Sequence, residues 1–306
     1  MIFTSLLPVF VLIVLGWSLR RFEVIPRSNW SGIEKLGFWV LFPALLFNAL
    51  ARAELKNLSL DVVFLSYGTA LTMQLVIMFL VYKKRRSWFT MDGPAYSTVF
   101  QTSTRWNAFI ALAVMDKLGG DAGLAVVALI MALTIPTLNF INIIVVAYTA
   151  SQSPISWLSA MGKTARNPMI WGALLGIFAN VIGIPIYGPV EVSLDLIGRA
   201  GLGVGLLAVG AGLKIRSVFS FRKEVWIGTF SKMVFFPLMM WGLALLFDAA
   251  YLETVALVLC ASIPAAMNGY MVASNMGGDA PLYATITAAQ TLLAIVTIPA
   301  FLWLVT

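Results

Sequence analysis

Apolar runs of about twenty residues, the length that crosses a ~30 Å hydrocarbon core as a helix, follow one another along the whole chain, separated by short polar or basic stretches. The pattern predicts ten spans: Phe3–Leu19, Gly32–Ala51, Val62–Tyr82, Ala95–Leu118 and Gly123–Tyr148, then Pro168–Ile184, Val192–Leu213, Val225–Leu246, Thr254–Asn275 and Leu282–Val305. The short alternating segments of a β-barrel are absent. The expected fold class is therefore an all-α polytopic membrane protein with ten transmembrane helices. Between the fifth and sixth spans, 149–167 reads as a linker. Ile155, Trp157, Leu158 and Met161 fit a short interfacial helix there, and a plain polar connection fits equally well.

Two spans break the apolar pattern. The fourth carries Thr102, Ser103, Thr104, Arg105 and Asn107. Arg105 lies about eleven residues past Pro94, roughly half of the hydrocarbon depth at ~1.5 Å per residue. A guanidinium there needs a partner, a cavity or a substrate. The ninth span carries Ser262, Pro264, Asn268 and Gly269. Proline removes a backbone donor and Gly269 loosens the chain, so a break is expected near Pro264. Broken half-helices would offer free N–H groups and positive dipole ends to an anion.

Repetition organises these features. GGDAGLAVVAL at Gly119–Leu129 is echoed by GGDAPLYATIT at Gly277–Thr287, and Thr134-Ile135-Pro136 by Thr297-Ile298-Pro299. Each GGDA follows the fourth span of its half. The halves, 1–148 and 168–306, each hold five spans. Because five is odd, the second half enters the membrane from the opposite face, which makes an inverted repeat of the kind secondary transporters use.

Composition narrows the chemistry. Of 306 residues, 60% are hydrophobic and only 11% charged, against about 25% charged in soluble domains. There is no histidine, and Cys260 is the only cysteine, which excludes a disulfide framework, a His-based metal site and a Cys/His catalytic pair. Neither HExxH nor a Ser/His set occurs, so an intramembrane enzyme is not expected, and the residues call for no cofactor or metal. The net charge of +7 comes mainly from loops after odd-numbered spans, such as Arg20, Arg21 and Lys83–Arg86; the opposite loops carry only Arg52, Lys56 and Lys117. By the positive-inside rule both termini face away from the cytosol. The basic charge is an orientation signal, and no nucleic-acid partner is expected. The first apolar run has neither a basic leader nor a cleavage site, and reads as a retained helix.

Other intramembrane polar residues have local readings. Asn139 and Asn142 share a helix face and either line the same cavity or bond neighbouring helices. Asn48, Gln74 and Gln290 read as interhelical hydrogen bonds. Asp195 and Arg199 are spaced for a local ion pair. Lys232, about seven residues inside the eighth span, reads as snorkelling to the basic side, with a functional role as the alternative. The glycines of the seventh span, Gly198 to Gly212, mark close packing or a sliding interface.

With those residues in view, the chain resembles the auxin efflux carrier family, which includes plant PIN-type carriers and bacterial malate or malonate permeases. The resemblance rests on LLPVFVLIVLGWSLRR at Leu6–Arg21, FPALLFNAL at Phe42–Leu50, STRWNAFIALAV at Ser103–Val114, IPTLNFIN at Ile135–Asn142, RNPMIWGALLG at Arg166–Gly176, SKMVFFPL at Ser231–Leu238 and SIPAAMNGYMVASNMGGDAPL at Ser262–Leu282. It implies a scaffold of spans one, two, six and seven. It also implies a transport domain of spans three to five and eight to ten, in which the broken fourth and ninth helices cross at the substrate. By the same resemblance a small organic anion would move by an elevator-type motion, usually in a homodimer. Asn107 and Pro264–Gly269 would stand at the crossing. This chain departs from the plant pattern at Val114 and Gly269, where those carriers have proline, and it lacks their long cytosolic loop.

The expectation is a secondary transporter of a small organic anion, auxin-like or a dicarboxylate such as malate or malonate. The candidate substrate-binding residues are Arg105, Asn107, Asn139, Asn142, Pro264, Asn268 and Gly269. Arg105 has two readings: a planar fork for a substrate carboxylate, or a structural residue satisfied by carbonyls and hydroxyls. The alternative function is a sodium-coupled symporter of the bile-acid type, which shares the inverted-repeat plan.

Overall fold

A computed structural model describes residues 2–55, 58–85, 87, 90–150, 162, 166–213 and 222–305. The interfacial segment expected around Trp157 lies outside the described residues. Within them the chain is helical and no strand occurs. The elements are α1 Ile2–Arg21, α2 Arg27–Ala51, α3 Leu60–Lys84, α4 Gly93–Thr104, α5 Ala108–Thr149, α6 Pro168–Ile182 and α7 Gly188–Gly212, then α8 Lys223–Leu246, α9 Tyr251–Ser262, α10 Asn268–Met276 and α11 Ala280–Val305. Among the described residues six helical stretches are long and apolar enough to cross a membrane: α2, α3, Gly93–Thr149 across α4 and α5, α7, α8 and α11.

Local sequence explains the irregularities. Gly120, in the first GGDA, takes φ +53° and kinks α5; the second GGDA ends α10 with Gly277 at φ +82° and starts α11. In α2 and α8 a π-helical turn, Gly37–Leu41 and Ser231–Phe235, stands just ahead of Pro43 and Pro237. The Phe42 and Phe236 N–H groups reach back five residues, to Gly37 and Ser231. The wider turn accommodates a proline ring that would otherwise press on the carbonyl four residues back.

The chain divides into two units. One comprises Met1–Ser59, Ala108–Pro136 and Ala165–Gly212. Lipid tails are as apolar as leucine, so helices in a membrane associate through close contact more than through water exclusion. Small residues supply that contact here. A Cβ on Gly210 or Gly16 would strike the main chain of Ile13 or Leu207, which brings α7 against α1. Gly198 and Gly201 meet Leu45 and Leu41 of α2, and Gly172 of α6 meets Pro43. Phe42 and Phe109 stack at 4.0 Å. Asn180 closes the end of α2 by donating to the carbonyls of Leu50, Ala51 and Ala53 at 2.8–3.0 Å. The Arg199–Asp195 pair forms at 2.9 Å, and Asp121 and Asp116 join it at 3.4 and 3.5 Å.

The other unit comprises Leu60–Asn107, Thr137–Thr164 and Leu213–Thr306. Its core brings Tyr96, Val99 and Phe100 of α4 against Met78 of α3, Val225 of α8 and Ile286 of α11. Gly228 lets α8 close on α4 and α11: a Cβ there would stand 3.1 Å from Thr102 Oγ1 and 3.2 Å from Ile286.

Candidate functional site

Two helices of the second unit stop in its interior. α4 begins with Pro94 in its first turn and Asp92 as N-cap, accepting from Ala95 N at 2.8 Å. At its other end no proline is present. Thr102 and Thr104 turn their hydroxyls onto the carbonyls of Thr98 and Phe100, both at 2.9 Å, local bonding that competes with a straight helix. Arg105 then leaves the helix as an extended residue, φ −71° and ψ 155°. α9 stops at Ser262, and Ile263 is extended, φ −75° and ψ 136°, as the residue before Pro264 is biased to be. α4 and α9 are each 12 residues long. Arg105 and Ile263 both stand 14 residues ahead of the first glycine of a GGDA.

A helix that ends in an apolar interior leaves carbonyls and N–H groups that must find partners. Gln74 Nε2 donates to Ser103 O at 3.1 Å and to Ser231 Oγ at 2.8 Å. Gln290 Nε2 donates to Thr102 O at 3.0 Å and Gly228 O at 3.1 Å, while its Oε1 accepts from Ala265 N at 2.9 Å. Tyr283 Oη donates to Ala266 O at 2.6 Å. Asn107 N donates to Pro264 O at 2.9 Å and so ties one interruption to the other. The expected interhelical role of Gln74 and Gln290 takes this specific form: side-chain amides standing in for missing backbone partners.

Arg105 is 4% exposed. Its Nη1 donates to Asn139 Oδ1 at 2.7 Å. Its Nε and Nη2 have no hydrogen-bond partner among the described residues. Those two groups share one edge of the guanidinium, the side-on pair that matches the two oxygens of a carboxylate. Tyr283, fully buried, is near enough to interact with this charge.

The residues singled out from the sequence separate into groups. Arg105 and Asn139 are bonded to each other, and Asn107 and Pro264 are joined through the backbone. Gly269 lies against Tyr283, whose ring and hydroxyl fill the space a side chain would take. Asn142 is buried, facing Thr104 Oγ1 at 3.2 Å and donating to Leu138 O at 2.7 Å. Asn268 is exposed in the first turn of α10. Lys232 corrects the snorkelling expectation: it is 0% exposed, because the π turn ahead of Pro237 directs it into the unit. Tyr283 was not anticipated; its only sequence signal is its place four residues after the second GGDA aspartate.

Interrupted helices around a buried cation, in a chain of successive apolar spans, are features of a multi-pass membrane transporter. The profile of the membrane transport protein family matches residues 1–302, and the chain belongs to that family, the one whose auxin efflux carrier motifs it carries. An uncharacterized transporter of Escherichia coli strain K12, YfdV, is 26% identical over 286 residues, covering 89% of this chain and 87% of that one. An uncharacterized transporter of Methanothermobacter thermautotrophicus is 25% identical, covering 98% of this chain and 96% of that one. A putative malonate transporter of Rhizobium meliloti is 23% identical, covering 98% and 94%.

Proposed function

We propose that the protein is a secondary transporter of a small organic anion, and that Arg105 grips the substrate's carboxylate. The observation that carries this reading is the unpartnered Nε/Nη2 edge of a guanidinium 4% exposed. A buried donor pair without acceptors is costly, and a carboxylate answers both donors at once. Asn139, holding the opposite side of the guanidinium, sets its plane. Asn107 and Pro264 would hold the two interrupted helices at the substrate.

The wider mechanism is the one the resemblance implies: two inverted five-helix repeats, an elevator-type movement of a transport domain past a scaffold, and a homodimer in the inner membrane; the basic loops favour an orientation with both termini outside the cytosol. The equal lengths of α4 and α9, and their equal spacing from the two GGDA motifs, support the repeat. A relative named as a putative malonate transporter makes malonate the first substrate to try.

The test is binding and uptake of carboxylates. Malonate, malate and indole acids are screened for a rise in the unfolding temperature of the purified protein, since a ligand that binds only the native state must stabilise it. Hits are followed as uptake into proteoliposomes. Arg105→Lys keeps the charge but loses the planar fork, and its affinity is expected to fall by about tenfold or more. Unchanged affinity and uptake in both Arg105→Lys and Arg105→Ala would remove Arg105 from the site.

A further inference from the structure

Lys232 is a second buried cation that the carboxylate site leaves unused. Its side chain is 0% exposed and Nζ has no hydrogen-bond partner among the described residues. Nζ lies 4.7 Å from the centroid of the Phe236 ring, whose face attracts a cation. Tyr67 packs its ring edge-on to the same phenyl group at 6.3 Å, and Cys260 is near enough to interact with the ammonium. None of these neighbours is an acid. The helices packed against this turn carry no carboxylate in mid-helix: Asp61 of α3 and Glu253 of α9 lie in first turns, and α4 and α11 have none. An ammonium with nothing to answer it is strongly disfavoured in such an interior.

Two interrupted helices end beside the turn that carries it. α4 stops at Thr104 and α9 at Ser262, both inside the unit. Each C-terminus carries roughly half an elementary negative charge. The turn that carries Lys232, Ser231–Phe235, packs against both helices. Ser231, its neighbour, is bonded through Gln74 to Ser103 O in the last turn of α4, and Cys260 lies in the last turn of α9. In transporters with broken helices, such half-helix C-terminal ends are where a coupling cation is coordinated.

We infer that Lys232 is a tethered cation, holding covalently at the paired C-terminal ends of α4 and α9 the positive charge that an inorganic ion such as sodium would otherwise bring. Substrate binding at Arg105 then requires no sodium. This consequence for transport rests on the anion-carrier reading, whereas the placement of the charge does not.

The experiment reads thermal unfolding of the full-length protein in detergent, with sodium chloride exchanged for potassium or choline chloride at constant ionic strength. The wild-type Tm is expected to be indifferent to the exchange. Lys232→Met, which fills the space without charge, is expected to lower Tm by about 4 °C. Lys232→Ala, which opens the space, is expected to unfold at a lower temperature that sodium partly restores. A wild-type Tm raised by sodium over potassium overturns the inference, as does a Lys232→Met variant as stable as wild type. If neither variant folds, the wild-type exchange decides alone. Failure of the carboxylate site appears separately, as the absence of any carboxylate that raises Tm.

Discussion

The backbone N–H of Asn107 donates to the carbonyl of Pro264 at 2.9 Å, across 157 positions of sequence. Neither group has a place in a regular helix, because each belongs to a segment where the helix has stopped. One interruption thus supplies what the other lacks. Gln290 reinforces the link by accepting from Ala265 N and donating to Thr102 O.

Gln290→Leu removes this bridge at similar volume. It strands Thr102 O, Gly228 O and Ala265 N, which Gln290 now satisfies, and each buried unsatisfied group costs about 1–3 kcal/mol. Gln74→Leu strands Ser103 O and the Ser231 hydroxyl, which can turn to another acceptor. Thermal unfolding of both variants is expected to show the larger loss for Gln290→Leu. Equal Tm values would mean that the carbonyls find other donors.

Asn139→Leu leaves Arg105 in place but releases its Nη1, now held at 2.7 Å. The fork is then free to rotate, and a site loosened in this way loses affinity without losing its charge. The Kd of whichever carboxylate stabilises the wild type is expected to rise by about tenfold, 1.4 kcal/mol, less than for Arg105→Ala. Isothermal titration of the three proteins checks the order.

Gly269 is required by Tyr283. A Cβ at position 269 would come within 2.5 Å of Tyr283 Cζ, so Gly269→Ala must push the ring and its hydrogen bond to Ala266 O aside. Overpacking of this kind costs about 1–3 kcal/mol. The double variant with Tyr283→Ala relieves the clash, so the two substitutions should be non-additive by about 1 kcal/mol or more. A double-mutant cycle on thermal stability measures the coupling, and strict additivity would argue against the contact.

In the first unit, Gly210 and Gly203 lie seven residues apart on α7 with opposite surroundings. A Cβ on Gly210 would strike the Ile13 carbonyl, whereas among the described residues nothing stands within 4 Å of one on Gly203. Gly203→Ala is expected to be neutral or stabilising by up to ~1 kcal/mol through helix propensity. Gly210→Ala should separate α7 from α1 and lower Tm by several degrees. Similar effects of the two would show that α1 and α7 do not approach as closely as described.

Much of this was legible along the chain, because its causes are local. A run of apolar residues long enough for a bilayer becomes a helix wherever it lies, since backbone groups in lipid can be satisfied only within the segment. Pro264 marked one interruption by its missing N–H, and the Thr102–Asn107 cluster marked the other by its polarity. The GGDA pairs located the turns at Gly120 and Gly277, whose positive φ glycine adopts without strain. The Asp195–Arg199 pair followed from four-residue spacing.

Tertiary structure decided how the broken ends are satisfied. Gln290 and Thr102 are 188 residues apart, and Gln74 and Ser231 157. No spacing rule joins them, because their meeting depends on which helices adjoin. The same holds for Arg105, whose side chain could equally have been consumed by carbonyls; Asn139 engages one nitrogen and leaves an edge open. Lys232 shows the limit most clearly. Seven residues inside a span, a lysine is near enough to the interface to snorkel. The π turn ahead of Pro237 and the close approach of α8 to α4 at Gly228 turn it inward instead. The direction in which a long side chain leaves its helix is set by the packing of neighbours, and that information exists only in the folded arrangement.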